Sequence, residues 1–254
     1  MFPYIEHPTL DLGFFRLEAF PVLAAIAIVV QFQIVMRRAP KQGFDRGTTS
    51  TLVGWAIFLG LVSAHVFDVL AYTPERLAAD PLELLRVWGG LSSFGGMMGG
   101  LAGLYAVMRY KGMSAAQMTR FIDVLIYALP FTLAIGRAGC ALQHDHPGIS
   151  SGHWLSVQYP DGPRFDLGLL EFLYLVPVAA LFAWLGRRRW PDGFFIGLFF
   201  TLYGPVRFVM DSLRVSEARY LDWTPGQYLS VAATLIGLGI LAAVLSRRRS
   251  APTA

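Results

Sequence analysis

Apolar runs of about 20 residues recur along this chain between short polar stretches, and each is long enough to cross a hydrocarbon layer about 30 Å thick as an α-helix. Seven such spans are predicted, at about residues 17–36, 51–73, 89–108, 121–140, 167–186, 194–211 and 227–246. Residues 1–16 are too short and too polar to cross. With Pro3, Pro8 and an amphipathic set of Leu12, Phe14 and Phe15, they are expected on the outer surface. Residues 141–166, rich in Gly, Pro, His and Ser, are expected to form a long extracytoplasmic loop, and loops of that length are more often functional than merely connecting. There is no internal repeat and no separable soluble segment. Residues 1–254 therefore read as one membrane-embedded domain, an all-α polytopic bundle of seven transmembrane helices.

Composition supports that class, with 55% hydrophobic and only 15% charged residues. A soluble enzyme does not need such a balance. The charges gather at span ends. Arg37, Arg38, Lys41 and Arg46 follow the first span, Arg109, Lys111 and Arg120 the third, Arg187 to Arg189 the fifth, and Arg247 to Arg249 the seventh. The loops between carry mixed charge, as in Glu75, Arg76, Asp80, Glu83 and Arg86. Every second loop is thus basic, which places the N-terminus outside and the C-terminus in the cytoplasm. The net charge of +4 reports this topology, and no nucleic-acid partner is expected. Glu6, Asp11 and Glu18 fall in the first twenty residues without a basic n-region, so a cleaved signal peptide is not expected.

Two cations stand out against this apolar background. Arg137 and Arg207 each sit near the end of a predicted span, toward the outer leaflet. An ionisable group at that depth costs a few kcal/mol on the lenient insertion scales, so it normally faces a cavity, a partner or an anionic ligand. Arg137 lies in Gly136-Arg137-Ala138-Gly139-Cys140-Ala141-Leu142-Gln143-His144-Asp145-His146-Pro147-Gly148, which leads out of the membrane. Arg207 follows Tyr203-Gly204-Pro205, with Asp211 and Arg214 on the same helical face at i+4 and i+7. An Arg207–Asp211 ion pair leaves Arg137 and Arg214 without an evident protein partner, and an anion such as a lipid phosphate is expected there. Cys140 is the single cysteine, which excludes an internal disulfide and a multi-cysteine zinc site.

The glycine-arginine segment, the stretch Trp88-Gly89-Gly90-Leu91-Ser92-Ser93-Phe94-Gly95-Gly96-Met97, and the helix from Tyr203-Gly204 to Arg214 followed by Gly226-Gln227 occur in one order. In that order and over its whole length the chain resembles bacterial prolipoprotein diacylglyceryl transferases. The resemblance implies a seven-span enzyme of the bacterial inner membrane. It would move the diacylglyceryl group of phosphatidylglycerol, or a related anionic phospholipid, onto a lipobox cysteine of a preprolipoprotein. No cofactor or metal is expected. Arg137 and Arg207 match the family's two essential arginines, Tyr203 its neighbouring tyrosine, and Asp211 a position usually held by glutamate.

The chain departs from the family pattern where protons would move. Cys140 and Gln143 stand where asparagines are expected, Asp145 where a glutamate is, Phe94 where a histidine or tyrosine is, and Phe20 where a tyrosine is. A phenylalanine cannot exchange a proton. The replacement base is sought in His144 and His146 around Asp145, which with Arg137 make the expected catalytic set. Arg207, Tyr203, Asp211, Arg214, His65, Asp68, Ser92, Ser93, Gly95 and Gly96 make the expected substrate-binding set. Two other readings stay open: a metal-dependent membrane hydrolase using His65, Asp68, His144, Asp145 and His146, and a relative that binds lipid only or serves another acceptor.

Overall fold

The computed structural model describes residues 1–11, 13, 16–72, 74–86, 90, 93–215 and 221–250. Helices dominate it: α1 (Ala19–Arg38), α2 (Arg46–Phe67), α3 (Pro74–Ala79), α4 (Ser93–Tyr110), α5 (Ala115–Gln143), α6 (Leu167–Leu185), α7 (Phe194–Ser212) and α8 (Pro225–Ser250). Among the described residues, six segments are long and apolar enough to cross a membrane: Ala19–Gln42, Arg46–Leu70, Ala115–Gln143, Leu167–Leu185, Phe194–Ser212 and Pro225–Arg247. The third predicted span coincides with α4, 18 residues long, and its first part, at residues 89, 91 and 92, lies outside the described residues.

Six short strands accompany the helices: β1 (Phe2–Pro3), β2 (Thr9–Asp11), β3 (Arg16–Glu18), β4 (Pro147–Ser150), β5 (Val157–Tyr159) and β6 (Gly162–Asp166). The stretch 141–166 is therefore not the irregular loop expected from its composition. Its three strands join β1 in a four-stranded sheet of order β1-β5-β6-β4, in which β1 runs parallel to β5 and the other pairs are antiparallel. A two-residue turn, Pro160-Asp161, closes the β5–β6 hairpin, and Gly162 at φ +120° takes the position an L-residue would strain to adopt. Strands of three to five residues leave too little alternation to be read from sequence.

The chain divides into two compact units, described in turn: Met1–Val35 with Ile122–Ala254, and Met36–Phe121. In the first, Val178, Phe182 and Leu185 of α6 pack on Phe194, Phe195 and Phe199 of α7 and Val244 of α8. Trp190 stacks on Phe194 at 3.9 Å. The buried Ile196 amide at the start of α7 donates to Asp123 Oδ1 on α5 at 2.9 Å, satisfying a donor that the helix itself cannot. Helices α1 and α5 share a polar bridge, with Gln31 donating to the Leu125 carbonyl at 3.1 Å and accepting from Thr132 Oγ1 at 3.0 Å.

Small residues let α7 and α8 approach closely, as lipid-embedded helices require when no hydrophobic force separates helix from lipid. A Cβ added at Gly237 would lie 2.7 Å from the Thr201 amide nitrogen and 3.0 Å from the Gly197 carbonyl, while one at Gly239 would meet nothing within 4 Å. In the second unit α2 and α4 cross in the same way. Asp45 caps α2 by accepting from the Thr48 amide at 2.8 Å.

The two glycines of α8 give a matched test of the crossing. Gly237→Ala should lower stability by about 1–3 kcal/mol through overpacking, whereas Gly239→Ala should be neutral or stabilising by up to ~1 kcal/mol. Thermal unfolding of both variants in one detergent checks this.

Candidate active site

The site begins with one acid inside an apolar helix. Asp166 caps α6 by accepting from the Leu169 amide at 2.9 Å, and one turn later Glu171 projects into the first unit with 1% of its side chain exposed. Its Oε2 lies 3.0 Å from Arg137 Nε on α5 and 3.5 Å from Arg207 Nη1 on α7. Its Oε1 accepts from the Tyr203 hydroxyl. Tyr203 and Arg207 are four residues apart and share a face of α7, so three helices meet on one carboxylate. A lone buried charge costs several kcal/mol, which two cations and a hydroxyl here offset.

Asp211, also 1% exposed, continues the network one turn further along α7. Its Oδ1 lies 2.9 Å from Arg207 Nη2 and 3.1 Å from Arg214 Nε, and its Oδ2 accepts from Thr224 Oγ1 at 2.5 Å. Gly226 lies flat against this carboxylate, where a side chain would collide with it. The Thr224 amide in turn donates to Gln227 Oε1 at 2.9 Å, which closes the start of α8. The expectation that Arg137 and Arg214 lack protein partners is thus corrected: Glu171 meets the first and Asp211 the second. Arg137 and Arg207 share the one Glu171 carboxylate. The arginine side chains remain 21–25% exposed, so unused N–H groups can reach an incoming anion.

The expected His144-Asp145 pairing is also corrected. His144, at φ +50°, places Nδ1 2.5 Å from Asp166 Oδ2, and its Nε2 accepts from the Ile5 amide at 3.4 Å. Tyr4 stacks on the imidazole at 4.4 Å, and Tyr159 meets it edge-on while donating to Asp166 Oδ2 at 2.8 Å. Both ring nitrogens have partners, and His144 ties the N-terminal strand to the α6 cap.

His146 takes the position facing the arginines. Its Nε2 lies 3.7 Å from Asp145 Oδ1. Burial, together with the nearby Arg137 and Arg214 charges, holds its imidazole below the usual histidine range despite Asp145. Cys140, buried on the last turns of α5, accepts a long contact of 3.8 Å from Arg137 Nη1. The ligating atoms of Cys140, Asp145 and His146 all lie within 4.8 Å of one another, and they form the cluster suited to a metal among the described residues.

The remaining expected residues belong to the second unit. His65 is buried, with Nδ1 3.2 Å from the Gly90 carbonyl and Nε2 3.0 Å from the Glu83 carbonyl, and Gly90 lies against the Asp68 carboxylate. Gly95 and Gly96 fall in the first turn of α4 and face α2, where a Cβ at Gly95 would lie 2.8 Å from the Ser63 carbonyl. Their geometry is that of helix packing. Ser92 lies outside the described residues, as do the side chains of Ser93 and Phe94. Phe20 packs over Gly139, whose added Cβ would come 3.1 Å from its Cα. The five-ligand set His65, Asp68, His144, Asp145 and His146 is not assembled within either unit.

Comparison with known proteins places this geometry. The profile of the family described as prolipoprotein diacylglyceryl transferase matches residues 8–243. The chain belongs to the prolipoprotein diacylglyceryl transferase family. Proteins named phosphatidylglycerol–prolipoprotein diacylglyceryl transferase are similar to it across nearly their full length. That of Chromohalobacter salexigens is 30% identical, covering 98% of this chain and 95% of the relative. Those of Pseudomonas paraeruginosa and Methylococcus capsulatus are 29% and 28% identical, covering 100% and 97% of this chain and 98% of each relative.

Glu171 was missing from the sequence-derived set, as were Thr224 and the structural acid Asp166. Glu171 is the one acid in the fifth predicted span, and the rule that singled out Arg137 and Arg207 applies to it equally.

The His144–Asp166–Tyr159 cluster gives a pH test. Burial, and then Asp166, pushes the Tyr159 phenol above its ordinary value of 10. The folded state then keeps a proton that the unfolded chain loses first. Its contribution to stability is full below pH 10 and lost as pH rises beyond it. Alkaline spectrophotometric titration should show one tyrosine ionising above the ordinary range in the folded protein, and Asp166→Asn should bring it back toward 10.

Proposed function

We propose that this chain is a phosphatidylglycerol–prolipoprotein diacylglyceryl transferase of the bacterial inner membrane. It takes the diacylglyceryl group of phosphatidylglycerol, or a related anionic phospholipid, and forms a thioether with the lipobox cysteine of a preprolipoprotein, releasing glycerol phosphate. The observation that carries this reading is the meeting of Arg137 and Arg207 on Glu171, in a chain whose family profile matches residues 8–243.

The chemistry follows from charge. Displacement at the glycerol carbon leaves developing negative charge on the departing phosphate, and preorganised cations in a water-poor site stabilise it strongly. Arg137 and Arg207 supply those cations, with Arg214 behind them. The acceptor thiol is mostly protonated at neutral pH and has to be activated. With His144 committed to Asp166, that task falls to the cluster of Cys140, Asp145 and His146 beside Arg137. Residues 1–254 act as one membrane domain with seven spans, α4 included, an outer N-terminus and a cytoplasmic C-terminus. His65, Asp68, Ser92 and Ser93 complete the set that binds the headgroup.

Complementation of a strain depleted of its own diacylglyceryl transferase, with lipoprotein mobility as readout, tests substrate and acceptor together. Failure to complement, combined with retained phospholipid binding and no turnover of labelled phosphatidylglycerol, would replace the enzyme by a lipid binder.

Arg137→Ala and Arg207→Ala should each cut turnover by at least ~10²-fold while the protein still inserts. Arg137→Lys should rescue poorly, because an ammonium cannot grip phosphate bidentately. Near-wild-type turnover of the lysine variant would reduce these residues to helix anchors.

Reporter fusions should read inside near residues 42, 113, 188 and 250, and outside near residues 80, 155 and 218. A C-terminus found outside would reverse the placement of the site.

A further inference from the structure

The described residues contain one place where thiol, imidazole and carboxylate converge. Cys140 lies on the last turn of α5, Asp145 and His146 lie just beyond the helix, and their ligating atoms are all within 4.8 Å of one another. Around a tetrahedral zinc with bonds of about 2.0–2.3 Å, neighbouring ligand atoms stand roughly 3.3–3.8 Å apart. Contraction by about 1 Å through side-chain rotation closes that gap. We propose that Cys140, Asp145 and His146 bind a divalent, zinc-class cation whose fourth position takes the acceptor thiol.

The surroundings suit the ligand set. The peptide that carries it is held at several points: the Leu167 amide donates to the His146 carbonyl at 3.0 Å, and the Ile149 amide donates to the Leu213 carbonyl at 2.9 Å. Gly148 bridges to Arg214, so the start of α6 and the end of α7 both fix this segment. Arg137 Nη1 lies 3.8 Å from Cys140 Sγ, so the thiol sits at the edge of the arginine cluster.

A divalent cation beside arginines needs its own anions, and it has them. The Cys140 thiolate and Asp145 carboxylate match its charge, while Arg137 is committed to Glu171 and Arg214 to Asp211. Cys140 is buried, His146 half-buried and Asp145 exposed, so the open position faces the aqueous side from which a peptide would arrive.

The role of the cation rests on the transferase reading. A thiol that coordinates zinc gives up its proton to solvent. The resulting sulfur lone pair attacks the glycerol carbon, forming the S–C bond as the C–O bond to phosphate breaks. The bonding pair leaves with glycerol phosphate beside the arginines. No oxidant or reductant is involved. A metal-held thiolate needs no side-chain base, which suits a chain with Phe94 and Phe20 where the family carries proton-transfer groups.

The test uses the tag-free full chain in detergent, stripped with chelator and titrated with zinc, then with cobalt. Wild type should bind about one zinc per chain by calorimetry and metal analysis. Cobalt should give a near-ultraviolet thiolate-to-metal band, which with one cysteine in the chain can come only from Cys140. Cys140→Ser should abolish that band, and both it and His146→Gln should weaken zinc binding more than about tenfold. Stoichiometric binding without the thiolate band, or binding equal in Cys140→Ser, would overturn the site. Turnover of phosphatidylglycerol by chelator-stripped enzyme at the full rate would overturn the metal while leaving the transferase reading intact. Metal binding without turnover would do the reverse.

Discussion

A carboxylate with 1% of its side chain exposed stands between two guanidiniums, and the upper half of the first unit is arranged around that fact. Glu171 enters from α6, Arg137 from α5, and Arg207 with Tyr203 from α7. None of these charges is tolerable at its depth alone, because removal of one partner from a buried pair costs about 3–5 kcal/mol. The three helices are therefore held to one relative placement by electrostatics as well as by packing. Asp211 repeats the device with Arg207 and Arg214, and Thr224 ties it to the start of α8. What remains is a cluster of donors held in place by two carboxylates, with the arginine side chains still 21–25% exposed.

Such a cluster works only if the helices cannot drift. Packing between α7 and α8 supplies that stiffness through contacts that leave no room for a Cβ at Gly204 or Gly237. At the other end Asp123 on α5 holds the Ile196 amide in the first turn of α7, and the aromatic layer of Tyr127, Phe182, Phe194 and Phe195 fills the space between. The small sheet closes the site end. Its strand β1 is pinned by the Tyr4–His144 stack, and the His144–Asp166 contact joins that stack to the cap of α6, one turn from Glu171. Stability and site geometry thus share the same residues.

Much of the helical layout is legible from sequence because the membrane imposes a length and a polarity that leave few alternatives. The two arginines are legible for the same reason. Glu171 followed the same rule and was passed over, since attention to cations hid the anion that neutralises them. The partner of His144 was not legible. Asp145 is adjacent in sequence, but the left-handed turn at His144 swings its ring toward Asp166, twenty-two residues away. The glycines Gly95 and Gly96 look like a phosphate-binding turn by composition, yet the same absence of a side chain permits close helix contact with α2, and only coordinates separate the two uses. The strands of 141–166 are too short for periodicity to register, although Tyr159-Pro160-Asp161-Gly162 carries the composition of a tight turn.

The departures from the family pattern share one physical logic. Loss of a proton acceptor at the Phe20 and Phe94 positions removes a route for making thiolate, while the appearance of Cys140 beside Arg137 adds a soft ligand where an amide is expected. A cysteine there is a poor substitute for an asparagine as a hydrogen-bond donor and acceptor, because its sulfur bonds weakly. Its distinctive property is affinity for metal as thiolate, and that property has value only with other ligands in reach. Asp145 and His146 supply a carboxylate and an imidazole within the required span, and the shorter aspartate, in place of the family's glutamate, keeps its oxygens close to the backbone that the sheet has fixed. The substitutions that look like damage to a proton-transfer site are therefore coherent when read as the assembly of the proposed coordination site beside Arg137.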